Sequence, residues 1–165
     1  MEKILISSCL LGENVRYDGK HNKVFSEILE KWQREDRLMP FCPEVAGGLE
    51  TPRPPAEIIN GNGRDVLNEK YCILNIKNND VTSNFLLGAF QAFDLIKQKN
   101  IKIAILKSRS PSCGIGQIYD GSFTGKLKKG NGVTAALLKG EGVFLFTEYE
   151  IEAANRKLKE LEAEK

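Results

Sequence analysis

Three cysteines stand at places where a chain can use them chemically. Cys9 closes the run KILISSC, Cys42 closes RLMPFC, and Cys113 follows IKIAILK within the segment SRSPSCG. Each thiol ends a β-prone apolar run or lies in the loop just past one, among Gly, Ser and Pro rather than core residues. Glu44 lies two residues beyond Cys42 with Pro43 between them, so a carboxylate is tethered beside a thiol on a stiff frame. Cys72 differs: it sits inside YCILNI and reads as a buried small hydrophobe.

Three thiolates converging from strand ends suit a metal group. Structural zinc prefers a fourth ligand and usually draws on paired Cys-x-x-Cys elements, and no such pair occurs here. The one histidine, His21 in GKHNK, reads as a solvent-facing loop residue. Pro43 and Glu44 share part of the zinc-deaminase pattern, but its second thiol is missing. A 4Fe-4S cluster fits better. Its irons are normally held by four thiolates, so three leave one iron open. An open Lewis-acidic iron beside a carboxylate is a catalytic arrangement rather than an electron wire. The alternatives are a structural zinc module on the same three cysteines, and another non-redox cluster enzyme such as a hydro-lyase.

These residues need a scaffold that brings strand ends together. Residues 3–8 are a continuous β-prone run that reads as a buried strand, 101–107 read as a second, and 37–41 and 142–146 read as shorter ones. Helices are predicted over 24–35, with Val24, Ile28, Leu29 and Trp32 on one face, over 80–100, over 132–139, and from 147 to the end. In the longest, Phe85, Leu86, Ala89, Phe90, Phe93 and Ile96 form the apolar stripe, and Asp80 or Thr82 caps it. Glu148 and Glu150 are expected in the first turn of the last helix. Residues 71–79 read as a minor or edge strand, and the Pro- and Gly-rich stretch 43–63 as an irregular functional loop. Alternating strands and helices predict an α/β fold, a three-layer Rossmann-like domain with a mainly parallel sheet, in a single domain spanning 1–165. In such a sheet, ligands bind beyond the carboxyl ends of the strands. Cys9, Cys42 and Cys113 would then open onto one edge.

Composition narrows the partners. The chain of 165 residues is 41% hydrophobic and 28% charged, normal for a soluble globular protein. Its 24 basic and 22 acidic side chains give a net charge of +2, so electrostatics make no case for polymeric nucleic acid or a membrane surface. No apolar stretch approaches a membrane span and no signal peptide is visible, which places the expected location in the cytoplasm, where thiols stay reduced.

Four stretches, SSCLLGENVRYDG, FCPEVAGGLETPRPPAEI, DVTSNFLLGA and KSRSPSCGIGQIYDGSFTG, together resemble the thiouracil desulfidase family over nearly the whole chain. The resemblance implies a Rossmann-like fold carrying a 4Fe-4S cluster on three cysteines, here Cys9, Cys42 and Cys113, with one open iron. It also implies a small-molecule substrate, a thiolated pyrimidine (thiouracil, thiouridine or thio-UMP), converted to the oxo form with release of sulfide. On that basis Glu44 is the candidate general base and Ser110 a candidate to bond the ring or hold water. Arg16, Asp18, Ser108 and Arg109 are candidates for substrate contact, and Lys107 or Arg109 for the phosphate of a nucleotide. Asp18-Gly19 reads equally as a plain turn. Arg53, set between prolines, serves either to brace its loop against a carboxylate or to face substrate. GIGQIYDGSFTG lacks the spacing of a nucleotide loop and is expected to shape the pocket wall.

Overall fold

The computed structural model describes residues 1–165. Its centre is a four-stranded sheet of β1 (Ile4–Ser7), β2 (Leu38–Phe41), β5 (Ile103–Leu106) and β8 (Phe144–Thr147), in the order β2-β1-β5-β8. Every pairing is parallel, in registers such as Ile4 with Leu38 and with Ile103. Side chains alternate across a strand, and the central strands β1 and β5 are buried at every position, so both faces are covered. Ile4, Ile6, Ile103 and Ile105 face one layer, made by α1 (Glu27–Arg34) and α6 (Ile151–Ala163) through Leu29, Trp32, Ile151, Ala154 and Leu158. Leu5, Ala104 and Leu106 face the other, made by α4 (Thr82–Lys99) and α5 (Val133–Gly140) through Ala92, Ile96, Ala135 and Leu138. This is the expected three-layer Rossmann-like arrangement. No helix is long and apolar enough to cross a membrane.

The stretch 43–63 departs from the expected irregular loop. It contains the one-turn helix α2 (Pro43–Ala46) and the strand β3 (Ala56–Ile58), and runs into α3 (Gly63–Leu67). Pro43 sits in the first turn of α2, where a missing N–H costs nothing. The side chains of Asn62 and Asp65 form a reciprocal capping box that starts α3. These elements are too short to show a period, so Pro and Gly dominate the reading. β4 (Ile73–Asn75), the expected minor strand, pairs antiparallel with β3, outside the main sheet. GIGQIYDGSFTG and the residues after it form a hairpin of β6 (Gln117–Tyr119) and β7 (Leu127–Lys129). Ile58, Ile73, Phe85, Ala89, Ile118 and Val133 join these additions into a third apolar cluster against α4 and α5.

Helix ends also differ from expectation. Ser26 caps α1 through its side chain, so the helix starts after Val24. Asp80 accepts the Thr82 N–H at 2.9 Å just before α4, while the Thr82 hydroxyl accepts the Ile73 N–H at 2.9 Å and ties β4 to the helix. Phe90 lies on the exposed face of α4, and Gly88 and Ala92 take inner positions. The last helix begins at Ile151, so Glu148 lies outside it and has another partner.

Small residues let α2 rest on α4. A Cβ at Gly88 would lie 1.9 Å from the Pro43 carbonyl oxygen, and one at Gly47 would lie 2.0 Å from that of Asn84. Asn84 Nδ2 and Gln91 Nε2 then donate to the carbonyls of Gly47 and Ala46, at 2.9 and 3.2 Å. Gly88→Ala is therefore expected to push away the segment that starts at Cys42 and to destabilise the fold by about 1–3 kcal/mol. Denaturant unfolding with an unchanged midpoint would contradict it.

Candidate active site

The sheet has a switch point between β1 and β5. The connection leaving β1 runs to β2 on one side, and the chain then returns to place β5 on the other. Crevices at such points, outside the carboxyl ends of the strands, are where α/β sheets bind ligands. A cavity of about 370 Å³ lies there, lined by Cys9, Cys42 and Cys113 together with Glu44. Cys9 is carried by the 3-10 turn Ser8–Leu11 that follows β1 directly. Cys42 is the N-cap of α2 at the end of β2. Cys113 sits in the turn after β5, where its N–H donates to Ser110 Oγ at 2.7 Å.

All four cysteines are free. Burial pushes the Cys9 thiol up to about 11, with the neighbouring Cys42 adding to the shift and Lys107, Asn22 and Arg16 opposing it. Burial pushes Cys113 up to about 12, against a hydrogen bond with the Ser7 side chain. Burial also raises Cys42, opposed chiefly by the Val45 N–H in the first turn of α2. Three desolvated thiols, with Cys42 raising the pKa of both others, become thiolates only when cationic charge compensates them. Asn22 Nδ2, beside Cys9, is buried without a partner, a donor suited to a metal-bound thiolate. The three thiols line one cavity, and no three or more His, Cys, Asp or Glu side chains are placed to hold a single metal ion. That arrangement fits a polynuclear group with one thiolate per metal atom better than a single tetrahedral zinc. Cys72 is half-buried at the start of β4 and does not line the cavity.

Glu44 is desolvated, which raises its carboxyl pKa, while Arg53 opposes the rise. Arg53 Nη2 reaches Glu44 Oε2 at 3.3 Å and the Val15 carbonyl at 2.9 Å. Its Nη1 donates to the Glu50 carbonyl and Thr51 Oγ1, both at 3.1 Å. The guanidinium thus ties the loop after β1 to the loop after β2 and holds the carboxylate in place. The bracing reading of Arg53 describes this geometry. Ser110 lines the cavity, and because its oxygen accepts the Cys113 N–H, its own proton is free to donate.

The remaining candidates fall differently. Arg16 lines the cavity, pairs with Asp18 at 3.3 Å and donates to Asn22 Oδ1 at 2.5 Å. Asp18 does not line it; its Oδ1 accepts the Lys20 N–H at 3.0 Å in a tight turn. Arg109 is exposed, outside the lining, with a positive φ of 71°. Ser108 lines the cavity, but its hydroxyl is committed to Glu148 Oε1 at 2.7 Å and its N–H to Oε2 at 2.8 Å. Lys107 Nζ also pairs with Glu148, at 2.9 Å. Neither Lys107 nor Arg16 is therefore a free cation. His21 is exposed, as its loop position suggested.

The sequence suggested only a helix-end position for Glu148, because its partners Ser108 and Lys107 lie about 40 residues away. Burial raises its pKa, but hydrogen bonds from Lys107 and Ser108 outweigh this and hold the carboxyl below the usual carboxylate range. A depressed pKa contributes stability above the unfolded-state value that is lost as pH falls through the folded-state value. Glu148→Ala is expected to destabilise the protein by about 2–3 kcal/mol at neutral pH. The deficit should shrink when unfolding is measured below pH 4, and a pH-independent deficit would count against the ion pair.

The fold and cavity define a class: a Rossmann-like α/β protein with three free thiols and a half-buried carboxylate at its switch point. A family model described as 2-thiouracil desulfurase matches residues 4–150. The protein is 47% identical over 148 residues to uncharacterized protein YbbK of Bacillus subtilis (strain 168), which covers 90% of this chain and 97% of the relative. Among solved structures, the 4Fe-4S-dependent thiouracil desulfidase TudS is similar at a TM-score of 0.88 and 42% identity, covering 96% of this chain and 99% of that one. The chain belongs to the 2-thiouracil desulfurase family.

Proposed function

We propose that this protein is a 4Fe-4S-dependent desulfidase that converts a small thiolated pyrimidine to its oxo form and releases sulfide, acting as one domain over residues 1–165. The observation that carries this reading is the meeting of Cys9, Cys42 and Cys113 with Glu44 on one cavity at the sheet's switch point. The three cysteines are assigned as the cluster ligands. When bound, a cluster held by three thiolates supplies a Lewis-acidic iron that polarises a thiocarbonyl group.

The chain's own residues do the rest. Glu44, with its pKa raised by desolvation, takes a proton from water or from the pyrimidine ring. Arg53 holds its orientation through Nη2. The Ser110 hydroxyl donates to the substrate ring or to the attacking water. Arg16 contacts substrate at the rim, with Asp18 setting its direction. Ser108, fixed by Glu148, shapes the wall, and Arg109 acts from outside the cavity. The reaction is hydrolytic and consumes no external electrons. Buried reduced thiols also suit the cytoplasm.

The test is anaerobic reconstitution with iron and sulfide, followed by assay with 2- and 4-thiouracil, thiouridine and thio-UMP. Expected are four irons per chain and sulfide release from at least one substrate. A colourless protein with stoichiometric zinc and no acid-labile sulfide would refute the proposal.

A further inference from the structure

The cavity holds a second carboxylate with no part in the steps above. Glu57, on β3, lines it and is only 7% exposed. Its Oε1 accepts two backbone N–H groups from the β6–β7 connection, Gly121 at 2.9 Å and Phe123 at 3.2 Å. Its Oε2 makes no hydrogen bond and is not sealed off from the cavity. Asp18, Glu44 and Glu148 each have a cation partner, in Arg16, Arg53 and Lys107. Glu57 has none. Lys128, which feels its charge, gives its Nζ to the Ile58 carbonyl at 3.1 Å. An accessible carboxylate oxygen with no protein donor is an acceptor left for a ligand.

The same two bonds anchor the backbone that carries an aromatic residue. Phe123 lines the cavity and adopts φ +57°, a left-handed conformation that a bulky residue rarely takes. Gly121, at φ +95°, lets the connection approach β3, since a Cβ there would lie 2.8 Å from the Ile58 carbonyl oxygen. Asp120 stiffens the turn by accepting the Ser122 N–H at 2.9 Å. Glu57 thus joins an acceptor and an aromatic surface into one rigid unit, on elements separate from those that carry the thiols. A thiolated pyrimidine presents the complement, a planar π face with ring N–H donors at its edge.

We propose that Glu57 and Phe123 read the pyrimidine ring, Glu57 Oε2 accepting a ring N–H and Phe123 stacking on the ring face; this rests on the desulfidase reading for the identity of the ligand. Glu57→Gln separates recognition from support. The amide oxygen still accepts from Gly121 and Phe123, while an NH2 donor replaces the acceptor toward the cavity.

The experiment is calorimetric binding of uracil, 1-methyluracil and 3-methyluracil to the reconstituted protein, with melting temperatures alongside. The wild type should bind uracil and discriminate against one methyl isomer. Glu57→Gln should weaken uracil about 10–100-fold, erase that discrimination and leave Tm unchanged. Phe123→Ala should weaken uracil about tenfold, and Phe123→Tyr should restore it. Equal uracil affinity in wild type and Glu57→Gln, or variants that lower Tm without changing affinity, would overturn the proposal. So would a wild type that binds no uracil. A wild type that binds and discriminates as expected, yet releases no sulfide from 2-thiouracil, supports pyrimidine reading and overturns the desulfidase assignment alone.

Discussion

Replacing Cys9, Cys42 or Cys113 with serine is expected to abolish retention of iron and acid-labile sulfide, and sulfide release with it, whereas Cys72→Ser keeps both. The reason is geometric. Three thiols line one cavity, and the fourth lies outside it at the start of β4. A hydroxyl is a poor, hard ligand for iron in a cluster that selects soft thiolates. Cys113 also packs in the apolar cluster with Ala104, Leu106 and Ala135. Serine there buries a polar group at a cost of about 1–3 kcal/mol. Cys113→Ala, which avoids that cost, should lose iron equally. Iron and sulfide analysis after anaerobic reconstitution, with circular dichroism to check folding, gives the answer. Full iron content in a folded Cys9, Cys42 or Cys113 variant, or loss of iron in Cys72→Ser, would show that the ligands are assigned wrongly.

Glu44→Gln is expected to leave iron content unchanged and to lower turnover about 10²–10⁴-fold. Gln keeps the side chain's volume and its acceptor for Arg53, but it cannot take a proton. The Arg53 guanidinium retains its bonds to the Val15 and Glu50 carbonyls and Thr51 Oγ1, so both loops should stay in place. Steady-state rates of sulfide release, normalised to iron, make the measurement. Activity within a few-fold of wild type would remove Glu44 from the chemistry.

These two predictions use residues that were visible in the chain, whereas the pyrimidine-reading proposal uses residues that were not. Cys42 and Glu44 are two positions apart, and Pro43 constrains them locally, so their proximity needs no tertiary information. Glu57 and Phe123 are 66 residues apart, and only the docking of the β6–β7 hairpin on β3 joins them. The same holds for Ser108 and Glu148. The hydroxyl looks available in SRSPSC, but a carboxylate from the β8–α6 connection occupies it.

The sequence by itself determined the α/β architecture, because β-prone runs at 3–8 and 101–107 alternate with amphipathic helical stretches. It also marked three thiols at strand ends as distinct from Cys72, because local composition separates a Gly-, Ser- and Pro-rich turn from an apolar strand. Tertiary structure alone decided the strand order and the switch point that gathers those ends. It decided that Arg16 lines the cavity while Asp18 and Arg109 do not. It also revealed short elements inside 43–63, whose stability comes from packing on α4 and on one another. Periodicity records only what a residue's own neighbours require. Strands of three residues, a hydrogen bond across 40 positions and a turn backbone held by a distant carboxylate satisfy requirements set elsewhere in the fold.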